Sequence, residues 1–217
     1  MNYHDITHED MNNGHGLRVV LWVSGCTHKC YRCQNPQTWN PNSGIKFDEN
    51  AKSEIFEQLD KDYISGITFS GGDPLHDNNV IEIKQLIKEI REKYKDKTIW
   101  LYTGYTYNDL MCLYKDKYEV VKMCDVLVDG EYIDDLYDAS YHWAGSTNQN
   151  VIDIKETLKQ NEIVLLKWQP KRYFIYTLLR RENFMVGFSG KERKIIVQYN
   201  SEDWQDLKQG NVYTVMQ

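Results

Sequence analysis

Three of the five cysteines in the chain fall within eight residues, Cys26-Thr27-His28-Lys29-Cys30-Tyr31-Arg32-Cys33. Thiolates crowded into one loop repel each other unless a cation, a cluster or a covalent bond holds them. The C-x3-C-x2-C spacing leaves three readings open. Three thiolates can hold three irons of a four-iron cluster and leave the fourth iron to a non-protein ligand. A zinc site would use Cys26, Cys30, Cys33 and His28, although structural zinc sites usually join a C-x2-C to a second pair of ligands. No second pair is visible, because Cys112 and Cys124 stand singly in helix-prone stretches. The third reading is three unrelated thiols.

The elements that must position this loop follow from hydrophobic patterning. Leu17 to Val23 reads as a buried strand that runs through Ser24-Gly25 into the cysteines. Ile64 to Phe69, Thr98 to Tyr102 and Asp125 to Gly130 read as further strands. They end in Ser70-Gly71-Gly72-Asp73-Pro74, Thr103-Gly104-Tyr105 and Asp129-Gly130, all turn-forming in composition. Between them, Asp48 caps a helix with Ala51, Ile55, Phe56 and Leu59 on one face. Asp77 opens a second helix with the stripe Val80, Ile83, Ile87, Ile90 and Tyr94. Thr106 and Asp109 form a capping-box signal ahead of Leu110, Leu113 and Tyr114. A further helix runs through Tyr118, Val121 and Lys122. Alternating strands and helices predict an α/β domain with mostly parallel strands. Right-handed crossovers put the C-terminal strand ends on one edge, so the cysteine loop and the three turns are expected on a common rim. Ligands of α/β sheets bind at such rims.

Outside this pattern, the first sixteen residues read as polar loop ending in the turn Asn13-Gly14-His15-Gly16, and Val151 to Gln160 as helix. A boundary is expected at Gln169-Pro170, giving a domain of residues 1–169 and an extension of 170–217. The extension carries eight Lys/Arg and five Asp/Glu, net +3, which leaves −9 of the overall −6 on the first 169 residues. Its β-prone runs, Tyr173 to Thr177 and Lys194 to Tyr199 with a turn at Ser189-Gly190, predict a small β-rich module. An acidic balance does not suggest direct nucleic-acid binding. No apolar run reaches the roughly 18 residues of a membrane span. The N-terminal residues lack a positive flank and an apolar core, so a cytoplasmic, reducing setting is expected and disulfides are disfavoured.

C-x3-C-x2-C on the loop after the first apolar strand resembles the radical S-adenosylmethionine enzymes. The continuation Cys33-Gln34-Asn35-Pro36-Gln37-Thr38-Trp39 resembles their glycyl-radical activases. The order and spacing of Asn13-Gly14-His15-Gly16, Ser70 to His76, Thr103-Gly104-Tyr105, Val126 to Gly130 and Trp143 to Gln149 are similar to activases of anaerobic (class III) ribonucleoside-triphosphate reductase. Together these motifs cover about residues 1–150. The resemblance implies a partial (β/α) barrel and two cofactors, a [4Fe-4S] cluster and S-adenosylmethionine. In that family an electron from a flavodoxin-like donor cleaves S-adenosylmethionine at the cluster. The resulting 5′-deoxyadenosyl radical takes a hydrogen atom from a glycine of the reductase large subunit. It implies Cys26, Cys30 and Cys33 as cluster ligands, with Gly71, Gly72 and Asp73 at the methionine amino group. Arg32, Cys33 and Gln34 pass the adenosine part. No side-chain acid or base is implied. Asp129 and Asn148 are further candidates, each equally readable as a turn or loop residue.

Two positions depart from the family: Arg32 stands where an adenine-contacting aromatic is common, with Tyr31 one position earlier, and His15 stands where proline is common. Activation of another glycyl radical enzyme, of the pyruvate formate-lyase type, is the nearest alternative; Asp73-Pro74-Leu75-His76 and Trp143 to Gln149 favour the reductase. A zinc-stabilised binding module is the alternative without chemistry.

Overall fold

Strands β1 (Asn2–Asp10), β2 (Leu17–Val23), β3 (Ile45–Lys46), β4 (Ile64–Gly71), β5 (Thr98–Tyr102), β6 (Val126–Asp129) and β7 (Asn150–Asp153) form one open sheet. Their order is β3-β1-β2-β4-β5-β6-β7. The apolar runs make its middle, where β2, β4, β5 and β6 are parallel neighbours. At the edges, β1, β3 and β7 pair antiparallel. The computed structural model describes residues 1–166 and the backbone of 184–189 and 194–199. The chain divides into two compact units, Met1–Leu166 and Lys167–Gln217.

Helices α1 (Glu49–Leu59), α2 (Val80–Lys93), α3 (Tyr107–Leu113), α4 (Lys115–Val121) and α5 (Ile154–Gln160) complete the first unit. Alternate strand residues Val19, Leu21, Ile67, Phe69, Ile99, Leu101 and Leu127 share one buried core with Ile55, Leu59, Ile83, Ile87, Ile90 and Leu110. The Asp48 carboxylate accepts from the Asn50 and Ala51 amides, both at 3.0 Å, a cap that contributes about 1 kcal/mol. Thr106 Oγ1 accepts from the Asp109 amide and donates to its carboxylate, as the capping signal predicts. The α3 stripe is shorter than expected. Leu110 is buried but Leu113 is exposed, because α3 stops there and α4 begins after Tyr114.

Two polar or ambiguous segments prove to be strands. β1 buries only Ile6, yet it pairs along β2 with two register shifts; backbone hydrogen bonds at a sheet edge do not require an apolar face. Residues 151–160 split into β7 and α5. Val151 and Ile152 pair with β6, and Asp153 then accepts from the Glu156 amide as the helix cap.

At the N-terminal ends of the parallel strands, Arg18 is fully buried. Its guanidinium donates to Thr68 Oγ1 (2.7 Å), Thr98 Oγ1 (2.9 Å) and the carbonyls of His15 (3.0 Å), Ile67 (2.6 Å) and Thr98 (2.9 Å). Burial pushes its pKa down to about 9, which still leaves the group charged at neutral pH. Trp100 lies under the guanidinium, 5.3 Å from it to the ring centroid, and packs edge-on against Trp143. The Asn13 carbonyl accepts from Thr68 Oγ1, so the turn Asn13 to Gly16 closes this end of the sheet.

In the second unit, β8 (Phe184–Ser189) and β9 (Lys194–Tyr199) form an antiparallel pair, and β9 coincides with the predicted run. The predicted run Tyr173 to Thr177 lies outside the described residues. Among the described residues no helix is long and apolar enough to cross a membrane.

Candidate functional site

Parallel strands deliver their C-terminal ends to one edge, and the cysteine loop leaves β2 there. Its stem is tied to the following segment by the Gly25 amide donating to the Thr38 carbonyl (2.7 Å) and the Cys26 amide to the Trp39 carbonyl (3.1 Å). Inside the loop the Cys33 amide donates to the Cys30 carbonyl at 3.1 Å. Lys29 and Arg32 take left-handed φ values of 52° and 56°. Such conformations cost side-chain-bearing residues on the order of 1 kcal/mol and turn the loop back on itself. Cys26, Cys30 and Cys33 are free thiols, each half-buried. Burial pushes the Cys26 thiol up to about 11 and raises Cys30 as well. Partly desolvated thiols in this state need a cationic group to become stable thiolates, which a metal cluster supplies.

The glycine pair meets the cysteine stem directly. The Gly72 amide donates to the Val23 carbonyl (2.8 Å), and the Asp73 amide donates to the Gly25 carbonyl (2.7 Å). A Cβ on Gly72 would lie 2.5 Å from the Gly25 oxygen, so the missing side chain makes room for the cysteine loop's own backbone. Gly71 ends β4 beside Trp22 and Val23. Asn79, fully buried, donates from one amide nitrogen to both the Ser24 carbonyl (2.7 Å) and the Asp73 carbonyl (2.9 Å).

Asp73 is 2% exposed and its carboxylate is enclosed by donors of the protein. It accepts from the Leu75 amide (2.8 Å), Thr103 Oγ1 (2.9 Å), the Gly104 amide (3.2 Å) and His28 Nε2 (2.9 Å). The other ring nitrogen, His28 Nδ1, lies 2.9 Å from Glu131 Oε1. With carboxylates on both sides, both bonds form when the ring is doubly protonated. Burial pulls the His28 pKa down, but the hydrogen bonds and charges of Asp73 and Glu131 outweigh it and leave it raised.

From the sequence His28 reads either as the fourth ligand of a zinc site or as an exposed spacer in the loop. In the fold its side chain is 11% exposed and packs edge-on against Tyr105, with centroids 4.7 Å apart. The zinc set of three cysteines and His28 is therefore not assembled, since both imidazole nitrogens are committed to carboxylates. Among the described residues no three His, Cys, Asp or Glu side chains gather closely enough for a single metal ion. Three thiols without a fourth protein ligand suit a cluster that keeps one iron for another molecule.

The remaining candidates divide by exposure. Arg32 is exposed and pairs with Asp134 at 3.0 Å, its guanidinium 5.8 Å from the centroid of the exposed Tyr31 ring. Gln34 is exposed beside it. Asp129 is buried and accepts from the Tyr107 amide (2.7 Å) and Asn150 Nδ2 (2.9 Å), so it ties β6 to its neighbours. Asn148 donates to the Glu131 carbonyl (2.8 Å), while its buried Oδ1 has no partner among the described residues. Glu131 and Asn79 were not singled out in the sequence, and Thr103 entered only as part of the turn Thr103-Gly104-Tyr105, without a role of its own. The available signal was position: Thr103 and Glu131 lie just beyond strand ends on the rim, and Asn79 stands immediately before α2.

A family model described as "4Fe-4S single cluster domain" matches residues 12–152, which span the cysteine loop, the glycine pair and the strands that carry them. The chain thus belongs to the iron–sulfur proteins of the single-cluster class. The chain is 43% identical over 153 residues to the anaerobic ribonucleoside-triphosphate reductase-activating protein of Escherichia coli K12, covering 70% of this chain and 97% of that protein. The protein of the same name from Enterobacteria phage T4 is 42% identical over 151 residues, covering 70% and 93% of the two chains. That of Vibrio cholerae is 38% identical over 151 residues, covering 69% and 96%. The chain belongs to the family of anaerobic ribonucleoside-triphosphate reductase-activating proteins.

Proposed function

We propose that this chain is a radical S-adenosylmethionine enzyme that installs a glycyl radical on an anaerobic ribonucleoside-triphosphate reductase. The observation that carries the reading is the rim itself: three free, half-buried cysteines on one loop, locked to a glycine pair at the next strand end. Family membership supplies the partner. When bound, a [4Fe-4S] cluster and S-adenosylmethionine supply a one-electron cleavage of the sulfonium and a 5′-deoxyadenosyl radical able to take a glycine hydrogen.

Cys26, Cys30 and Cys33 hold the cluster. Gly71 and Gly72 set the backbone against which the methionine end rests. Asp73 fixes that backbone and the cysteine loop through its four protein partners; contact with an ammonium would displace one of them. Arg32 and Gln34, exposed on the same loop, flank the adenosine. The parallel strands act as a partial barrel of the radical S-adenosylmethionine type, in a cytoplasmic protein reduced by a flavodoxin-like donor. Residues 1–169 carry this activity, and 170–217 form a separate extension.

Anaerobic reconstitution with iron and sulfide, then reduction with S-adenosylmethionine and a reductase of this class, tests the proposal. The expected result is 5′-deoxyadenosine together with a glycyl-radical doublet on the reductase in electron paramagnetic resonance. Stoichiometric zinc in place of iron, or iron with no S-adenosylmethionine cleavage, would overturn it.

A further inference from the structure

One residue of the cysteine loop touches all three neighbouring strand ends. His28 Nε2 meets Asp73 after β4, its ring packs against Gly104 and Tyr105 after β5, and Nδ1 meets Glu131 after β6. The sequence separations are 45 residues to Asp73 and 103 to Glu131, so these contacts exist only in the folded rim. The floor beneath the ring is made for it: a Cβ on Gly104 would lie 2.5 Å from His28 Cδ2. Asp73 is in turn fixed by Thr103 Oγ1 and by the Leu75 and Gly104 amides. Behind Tyr105 the ring of Tyr114 and the buried Lys117 ammonium, 4.9 Å from the Tyr105 centroid, close the stack. Lys117 itself donates to the Leu75 carbonyl and to Asp77, both at 2.6 Å, which returns the network to the β4 end.

We propose that His28 is the positioning residue of the cysteine loop: it latches the segment between Cys26 and Cys30 onto the ends of β4, β5 and β6 and so sets where the thiols stand relative to Gly71 and Gly72. The stem bonds at Gly25 and Cys26 hold only the base of the loop. Among the described residues His28 makes the side-chain hydrogen bonds that tie the segment between Cys26 and Cys30 to other strand ends, while the Tyr132 amide reaches Cys30 and Arg32 pairs with Asp134 beyond β6. Without the His28 bonds the first half of the loop loosens, and three cysteines that must act together lose their common geometry. The inference rests on the cluster reading for its consequence, but the latch is a property of the protein without the cluster.

The test has two parts, so that failure of the latch and failure of the cluster reading separate. In the cluster-free full chain, amide hydrogen exchange of residues 26–33 is compared between the native sequence and His28→Ala. The loop amides are expected to exchange on the order of tenfold faster, a loss of about 1.4 kcal/mol of local protection, while β4 and β5 stay unchanged. Glu131→Ala, which removes a half-exposed partner and leaves the core intact, should give a smaller increase in the same residues. His28→Gln, which can still donate to Asp73, should restore part of the protection. After anaerobic reconstitution, His28→Ala is expected to show an altered S-adenosylmethionine-induced change in the spectrum of the reduced cluster, at iron content lower than or equal to the native protein. Loop exchange and spectra unchanged in both His28→Ala and Glu131→Ala would overturn the latch. A native chain that takes up no iron would overturn the cluster reading alone, leaving the exchange result standing.

Discussion

The two ends of the parallel sheet solve the same problem with opposite outcomes. At the N-terminal ends Arg18 is buried and each of its donors finds an oxygen, with Trp100 and Trp143 packed beneath it. Nearby Asp125 accepts from Arg91 and Lys155 side chains and the Ile99 amide. Both charged groups are used by the fold. At the C-terminal ends Asp73 and His28 are used just as fully, but they hold a loop whose three cysteines form no disulfide. The difference separates stability from chemistry: one end closes the sheet, and the other holds reactive groups at a fixed place.

That contrast can be broken at either end. The largest effect is expected at the rim: Cys30→Ala should abolish S-adenosylmethionine cleavage, measured as 5′-deoxyadenosine formed under reducing conditions, with the melting temperature of the cluster-free protein nearly unchanged. Gly72→Val should shift the whole cysteine stem, since its first carbon already collides with the Gly25 carbonyl. Iron uptake and S-adenosylmethionine affinity should fall together, with a stability loss of about 1–3 kcal/mol seen in denaturant unfolding. A purely ligand-facing glycine would lose affinity alone.

Arg18→Met tests the other end. It strands the Ile67, Thr98 and His15 carbonyls and should cost about 3 kcal/mol, or on the order of 10 °C in melting temperature, while cluster loading of the folded fraction is retained. Asp125 gives a pH handle. Burial raises its pKa, but hydrogen bonds from Lys155 and Arg91 outweigh that and leave it depressed. A depressed folded-state carboxylate contributes stability above its unfolded value, roughly 4, and loses it as pH falls through the folded value. Asp125→Asn should therefore melt below the native protein at neutral pH, with the gap closing in acid. Smallest is Arg32→Ala: an exposed pair with Asp134 is worth less than about 1 kcal/mol, so a drop in S-adenosylmethionine affinity without a change in melting reports direct contact.

The sheet's middle was legible because its strands are buried on both faces and show as continuous apolar runs, and the caps at Asp48 and Thr106 announced two helices. β1 was not legible, because a polar strand beside the sheet edge is specified by its partners' backbone and leaves no apolar alternation to read. β7 was hidden by a short β-branched pair that runs straight into a helix. The three thiols and the glycine pair stood out by spacing, and the common rim followed from strand order. The role of His28 did not, since its partners are distant in sequence and a histidine in a loop carries no local sign of them. Arg18 was equally silent: one cation at the head of an apolar strand looks like the strand's solvent-exposed start. The glycine pair was legible as a close approach, but what approaches it within the chain is the cysteine stem.

The central claim is that the rim thiols hold a four-iron cluster with one iron left for S-adenosylmethionine. Electron paramagnetic resonance of the anaerobically reconstituted, reduced full chain, recorded before and after adding S-adenosylmethionine, tests it most directly. The expected result is the signal of a reduced [4Fe-4S] cluster whose g values move when S-adenosylmethionine is added. A cluster signal indifferent to S-adenosylmethionine would contradict the account.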